Sequence, residues 1–413
     1  MHSKKTSSAP LPVRVPYAYP CYGEEEVQAV LEVLRDPTTI TAGRRVKAFE
    51  YVVAEQFGKA HGVMVNSGSS ANLLAFEVLN LPPGSEVITP ALTFSTTLAP
   101  ILQKGLRPVF VDVDPRTYVV RARDVAAAIT RRTRALMIPL LLGNVPDMRA
   151  LAALAKKHKL FFVEDSCDTL GARFGGKPTG AYSHITTTSF YATHVITAAG
   201  SGGMICFHDA ALARRALVVS TWGRQSSLFG SHEQSEDLDK RFSGRIGGEP
   251  YDAKFIFSEI GYNFQSTDLN AAFGLVQLRN LSRLRRARAK VFSRLMRFFG
   301  RYEAFFELPR ELKTVETAWM HFPVVLKPHT PFTRLEFARY LEERQVQTRP
   351  IFTGTVIRQP AFSHLTRQGE RYPVADYLMR HGLLLGCHPG MTPERLRHLE
   401  ATVTAFLRPY RTL

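Results

Sequence analysis

Between Glu24 and Arg35 (EEEVQAVLEVLR) the apolar positions Val27, Val30, Leu31 and Leu34 recur three or four residues apart. That spacing predicts a helix with one apolar stripe, and the acids of its first turn suit the positive end of the helix dipole. After a turn at Thr39–Arg45 (TITAGRR), Val46–Phe57 resumes helical spacing. Val63–Leu79 (VMVNSGSSANLLAFEVL) predicts a short strand, a small-residue turn and a helix. Glu86–Phe94 and Pro108–Val113 predict strands, and Ala122–Thr130 a helix. Ala135–Leu142 (ALMIPLLL) is almost wholly apolar, as in a parallel strand buried on both faces. Leu151–His158 has a helical pattern, Leu160–Val163 a strand-like one, and Ile185–Tyr191 is β-prone. Strand and helix therefore alternate from about residue 60 to 210, which predicts an α/β protein with a mostly parallel sheet covered on both faces.

The flanking chain differs. Residues 1–20 (MHSKKTSSAPLPVRVPYAYP) are polar, basic and Pro-rich, and predict a draped arm without the apolar core of a signal peptide. Residues 21–279 form the expected large domain, and 280–413 a smaller α+β C-terminal domain. Residues 225–252 are polar and Gly-rich, a long loop or flap, and no internal repeat or low-complexity tract occurs. With 413 residues, 45% of them apolar, the chain can bury a large core. No apolar run reaches the roughly eighteen residues of a membrane span. Cys21, Cys167, Cys206 and Cys387 are scattered without metal or disulfide spacing, so a reducing cytoplasm is the simplest expectation. The net charge of +17 raises the question of nucleic acid. Much of it lies in Arg283–Arg301 (RLRRARAKVFSRLMRFFGR), whose apolar spacing predicts an amphipathic helix with a solvated basic face, so no nucleic-acid partner is expected.

The chemistry concentrates between Val163 and Cys206 (VEDSCDTLGARFGGKPTGAYSHITTTSFYATHVITAAGSGGMIC). Glu164-Asp165 follows a strand, and a carboxylate at a strand's end with hydroxyls before a glycine loop suits a cofactor that carries a ring nitrogen and a phosphate. In such sheets active sites gather at the strands' carboxyl ends, where Asp165, Ser189 and His194 all fall. The turn at Gly68 and Ser69 opens a helix whose free amides favour an anion, although a Ser before an apolar helix is also an ordinary cap. Taken singly, Asp165 is a plain turn residue, Phe94 a core Phe like any other of the 27 in the chain, and His194 a surface or packing histidine.

Together these segments resemble the DegT/DnrJ/EryC1/StrS family of pyridoxal-phosphate sugar aminotransferases. The matching residues are Glu164-Asp165, Asp168, Leu170-Gly171-Ala172, Ser189-Phe190 and Gly200–Gly203, supported by NSGSSA at 66–71, TPALTF at 89–94 and the Asn263 segment. The resemblance spans about residues 20 to 395 and implies the aspartate-aminotransferase architecture (fold type I) and pyridoxal 5'-phosphate or pyridoxamine 5'-phosphate as cofactor. It implies that Asp165 faces the pyridine nitrogen and that Phe94 stacks on the ring. Asp168 would lie beside the ring hydroxyl, and Gly68, Ser69 and Ser189 would hold the phosphate. Asn263 would reach the cofactor phosphate of a second subunit, in a homodimer with shared active sites. Gln265 stands near the place of the family's usual Arg. Arg349, in Thr348-Arg349-Pro350, and His388, in His388-Pro389-Gly390-Met391, would lie on the substrate side.

The departure of greatest consequence is His194, where the family has its Schiff-base lysine. That exchange, with ITAGR and Cys167-Asp168, resembles the nucleotide-sugar 3-dehydratases. Without the lysine the cofactor would sit noncovalently as pyridoxamine phosphate, and an imidazole with an ordinary pKa of about 6.5 suits proton removal near neutral pH. The implied reaction removes the C3 hydroxyl of a nucleotide-linked 4-keto-6-deoxy sugar, with the cofactor restored from L-glutamate. One branch of the subgroup carries an iron–sulfur cluster. The segment Trp222-Gly223-Arg224-Gln225-Ser226-Ser227-Leu228 lacks its cysteines, so no cluster is expected. The loop Ala198–Gly203 carries one more residue than the family's T-G-E-G-G and no Glu. The alternatives are a nucleotide-sugar aminotransferase, and a catalytically altered binding protein on the same fold.

Overall fold

The computed structural model describes residues 13–36, 38, 40–230, 236–366, 369 and 371–410. Residues 1–12 of the expected arm, residue 39 of the first turn and residues 231–235 of the expected flap lie outside them.

A seven-stranded sheet runs through the chain in the order His61–Val65, Gly203–Phe207, Ile185–Ser189, Phe161–Asp165, Thr133–Pro139, Glu86–Pro90, Arg107–Val111. Gly203–Phe207 pairs antiparallel with both neighbours, and the other pairs are parallel. The two central parallel strands are apolar because helices cover both faces: Ala135, Leu136, Met137, Ile138, Phe162 and Val163 are fully buried. Ala135–Leu142 ends as a strand at Pro139, and Leu142 then enters a left-handed turn (φ 61°). Thr133–Pro139, Phe161–Asp165 and Ile185–Ser189 run parallel, so Pro139, Asp165 and Ser189 share one edge.

A second apolar core forms where the helices Leu281–Gly300, Arg334–Glu343 and Pro393–Leu407 pack on the antiparallel strands Phe306–Glu307, His321–Leu326 and Gly382–Gly386. The flap region contains short helices at Gln225–Leu228 and Leu238–Arg241 and a hairpin pairing Gly244–Ile246 with Glu249–Tyr251.

Two helices add to what their spacing predicts. The first helix spans Glu24–Leu34 as the spacing predicts, yet its stripe is open: Val27, Leu31 and Leu34 are 38%, 36% and 51% exposed, while Val33 is buried. The basic helix Leu281–Gly300 is amphipathic, but Arg288 stands on its buried side with Leu284, Val291 and Leu295.

Phe49 joins the helix Arg44–Gln56 to the sheet edge, its ring 4.8 Å from that of Phe190. Being fully buried, it leaves a cavity when truncated. Phe49→Ala is expected to lower stability by about 3–5 kcal/mol, read as a shift of the denaturant midpoint.

Candidate active site

At the carboxyl edge of the parallel strands lies a cleft of about 510 Å³. Gly68, Ser69, Phe94, Asp165, Asp168, Ser189, His194 and Arg349 all line it. The fold brings these together from five separate segments, as an α/β sheet does at its strand ends.

Asp165 ends its strand with a carboxylate that is already organised. Its Oδ2 accepts from Asn72 Nδ2 at 2.9 Å and Thr97 Oγ1 at 2.8 Å, and its Oδ1 accepts from the Cys167 amide at 3.2 Å. Asn72 is held in turn by Thr187, whose hydroxyl donates to Asn72 Oδ1 at 2.6 Å. Rotation of the carboxylate would break bonds from three segments, so its outward face is preset for one cationic donor.

Opposite, the helix Gly68–Leu79 starts at the cleft. Ser67 is its cap and accepts from the Ser70 amide, so Ser69 is exposed and takes no part in capping. A Cβ on Gly68 would fall 2.7 Å from the Ser189 Cβ and 2.9 Å from the Cys167 sulfur. Glycine is therefore needed for this close approach. Gly203 does the same where the next strand meets the turn: its Cβ would lie 2.3 Å from the Ser67 carbonyl. Phe94, 48% exposed, presents its ring to the cleft edge-on to Phe352, with centroids 6.3 Å apart. An open aromatic, a set carboxylate and a helix start with two serines match the ring, pyridine nitrogen and phosphate of pyridoxal phosphate.

His194 is half-buried in the loop after Ser189–Phe190. Its Nδ1 lies 2.8 Å from the Cys167 carbonyl oxygen. A carbonyl only accepts, so Nδ1 carries the proton and neutral His194 keeps its lone pair on Nε2. Burial lowers its pKa; the Cys167 carbonyl and Asp165 act in the opposite sense, and Arg288 adds to the lowering. Asp168 accepts from the Leu142 amide at 2.9 Å, and burial is the main cause that raises its pKa to about 7. No lysine lines the cleft among the described residues. Nor does any group of three or more metal-ligating side chains occur among them.

Two candidates sit elsewhere. Asn263 is exposed outside the cleft and bridges Thr221, while Thr41, Ala42 and Gly43 line a separate cavity with Gln265. His388 is buried and holds the arm, its Nε2 3.0 Å from the Pro16 carbonyl. Burial takes its pKa down to about 4, which keeps it neutral. The arm it fastens delivers Tyr17 to the cleft. There the tyrosine hydroxyl lies 2.9 Å from His321 Nε2, and the Arg349 guanidinium stands 5.4 Å from the ring centre. Asn72 and Thr97, Tyr17 and His321 escape a reading of local patterns because their partners are distant in the chain; Asn72 does stand inside NSGSSAN, one turn into the helix.

The comparisons with known proteins agree with this geometry. The lipopolysaccharide biosynthesis protein RfbH of Salmonella typhimurium is 36% identical over 95% of this chain and 91% of its own length. The dTDP-4-dehydro-2,6-dideoxy-D-glucose 3-dehydratase of Saccharopolyspora spinosa is 37% identical over 92% of this chain and 83% of its own. A crystal structure of GDP-4-keto-6-deoxymannose-3-dehydratase with a trapped PLP-glutamate geminal diamine superimposes with a TM-score of 0.82. It is 27% identical and covers 94% of this chain and 99% of that one. The profile of the DegT/DnrJ/EryC1/StrS aminotransferase family matches residues 20–404. The chain therefore belongs to the DegT/DnrJ/EryC1/StrS aminotransferase family of pyridoxal-phosphate enzymes.

Proposed function

We propose that this enzyme is a nucleotide-sugar 3-dehydratase: it removes the C3 hydroxyl of a nucleotide-linked 4-keto-6-deoxy sugar with pyridoxamine 5'-phosphate, which L-glutamate restores. One observation carries the reading: among the described residues an imidazole, with no lysine beside it, stands in a cleft otherwise equipped for this cofactor. The names of the relatives support it, since dehydratases stand among them at 37% and 27% identity.

Pyridoxamine phosphate, when bound, supplies the amine that condenses with a 4-keto group and a ring that takes up electrons. Asp165 holds the ring nitrogen's proton, with Asn72 and Thr97 keeping its carboxylate turned to that task. Ser69, Ser189 and the amides at Gly68 take the phosphate, and Phe94 sets the ring plane. His194 accepts a proton at Nε2. A lysine would return that proton to the sugar carbon and complete a transamination; an imidazole anchored through Nδ1 has less reach and would give the proton held at Nε2 to the neighbouring C3 hydroxyl, which would leave as water. Arg349 and Tyr17 face the substrate side.

The proposal includes a homodimer. Asn263 and the TAG turn at 41–43 lie outside this chain's cleft, and the open stripe Val27, Leu31 and Leu34 offers apolar surface to a second copy.

The reading is tested by supplying GDP-, CDP- and dTDP-linked 4-keto-6-deoxy sugars with L-glutamate. A product one oxygen lighter, with ammonia and 2-oxoglutarate, is expected; an amino sugar without ammonia would establish the aminotransferase instead. His194→Asn should lower kcat by about 10²–10⁴-fold with the cofactor still bound.

A second expectation concerns stability. The folded state raises the Asp168 pKa from 3.8 to about 7, so it favours the protonated form. That contribution is complete below about pH 4 and is lost as pH rises through about 7. Against Asp168→Asn, which keeps an acceptor for Leu142 and does not ionise, the wild-type unfolding free energy should fall between these limits and run level above them. Denaturant titrations across pH check this.

A further inference from the structure

Arg288 is the strongest feature that this mechanism leaves unused. It occupies the buried stripe of the helix Leu281–Gly300 and is 2% exposed. Its Nη1 donates to the Met320 carbonyl at 3.1 Å and the Cys387 carbonyl at 2.9 Å, and its Nη2 donates to the His194 carbonyl at 2.9 Å. Met320 directly precedes the strand His321–Leu326, and Cys387 directly follows its antiparallel partner Gly382–Gly386. One guanidinium thus joins the loop that carries the proposed base to both strands of the other sheet.

The energetics argue that this knot has a purpose beyond packing. Among the described residues no carboxylate forms an ion pair with Arg288; its bonded partners are neutral carbonyls. Burial of a cation on such terms is costly, and an apolar side chain of similar volume would fill the space more cheaply. What Arg provides is a rigid planar fork whose N–H groups reach three acceptors in fixed directions.

His194 itself is held at three points. Its amide donates to the Tyr191 carbonyl at 3.0 Å, its Nδ1 lies against the Cys167 carbonyl, and its own carbonyl takes the Arg288 bond. The first two tie the residue to its own side of the cleft. The third sets the height and tilt of its backbone from across the cleft, where Met320 and His321 line the wall.

We propose that Arg288 is a positioning residue for His194: by bonding the His194 carbonyl to the strands at Met320 and Cys387, it keeps the imidazole in register with the Cys167 carbonyl and Nε2 directed into the cleft. The inference rests on the reading of His194 as the base. It assigns Arg288 no contact with substrate or cofactor.

The test uses the full-length protein loaded with pyridoxamine phosphate and the variants Arg288→Met and Arg288→Lys, each alone and combined with His194→Asn. In histidine-¹⁵N-labelled protein, the signals that vanish in His194→Asn identify the His194 ring nitrogens. Wild type should show a single tautomer protonated at Nδ1, and Arg288→Met a mixture. With an active substrate, Arg288→Met should lower kcat by about a hundredfold, as a displacement near 1 Å of a reacting group does, with KM and cofactor affinity unchanged. Arg288→Lys should recover part of the loss. In the His194→Asn background the Arg288 substitutions should cost nothing further, because they act through the imidazole. An equal loss in both backgrounds, or an unaltered tautomer, would overturn the proposal. If Arg288→Met does not fold, Arg288→Lys carries the same comparison. Absence of any sugar turnover by wild type would defeat the dehydratase reading, while the tautomer comparison still decides the role of Arg288.

Discussion

The bond between His194 Nδ1 and the Cys167 carbonyl is the constraint from which the chemistry of this site follows. An imidazole free in a loop would exchange tautomers and rotate. One held against a carbonyl has a committed donor on one side and a committed lone pair on the other. The bond also links the two halves of the core stretch: Cys167 follows the strand that ends at Asp165, and His194 follows the strand that ends at Ser189. The same Asp165–Cys167 turn therefore orients a carboxylate and an imidazole together. A change that loosens one is communicated to the other.

Much of this was legible in the chain because the decisive groups sit at strand ends, where a local pattern marks them. Asp165 and Ser189 each close an apolar or β-branched run, and Gly68 opens a helix behind a serine cap. What the pattern could not convey is which distant side chains finish the job. Nothing around Thr97 announces that its hydroxyl will reach Asp165, since Thr97 lies in the helix Ser95–Gln103 and the two meet only once that helix packs at the end of the assembled sheet. His388 is the converse case. Its segment resembled a substrate-side motif, yet the side chain turns to the arm and supports the cleft indirectly, through Tyr17. Arg288 was concealed in a run of arginines, although its position was readable: Leu281, Leu284, Arg288, Val291 and Leu295 keep one stripe, and a cation in an apolar stripe should be suspected of bonding inward.

The arm also shapes the cleft. Val15 pairs with Val346 and exchanges backbone hydrogen bonds with Gln345 and Gln347, while Pro16 is fastened by His388. These contacts immobilise a short segment against the second core and leave Tyr17 stacked on His321, ring centres 4.3 Å apart. Burial raises the Tyr17 pKa and holds His321 well below its ordinary value, so the pair is neutral, with one hydrogen bond between the phenol oxygen and Nε2. A neutral hydrogen-bonded pair beside Arg349 gives this wall of the cleft a fixed shape, with little change in charge on the pair near neutral pH.

The two cores meet across the small sheet, and their junction is mainly apolar. Phe322, Val324, Leu383 and Leu385 face the second core, while Val325 and Leu384 pack with Trp319, Leu141 and Leu142 in the first. Arg288 and the arm add polar bonds to that packing, between the cleft's wall and the second sheet. Apolar burial is non-directional, whereas these hydrogen bonds are short-ranged and directional, so they set the register of the two parts. With that register kept, the His194 carbonyl is bonded from across the cleft and the imidazole is in place. Losing it would leave a guanidinium without carbonyl partners while still shielded from water, which is costly. The proposed base is thus held in position by the fold itself, before any substrate arrives.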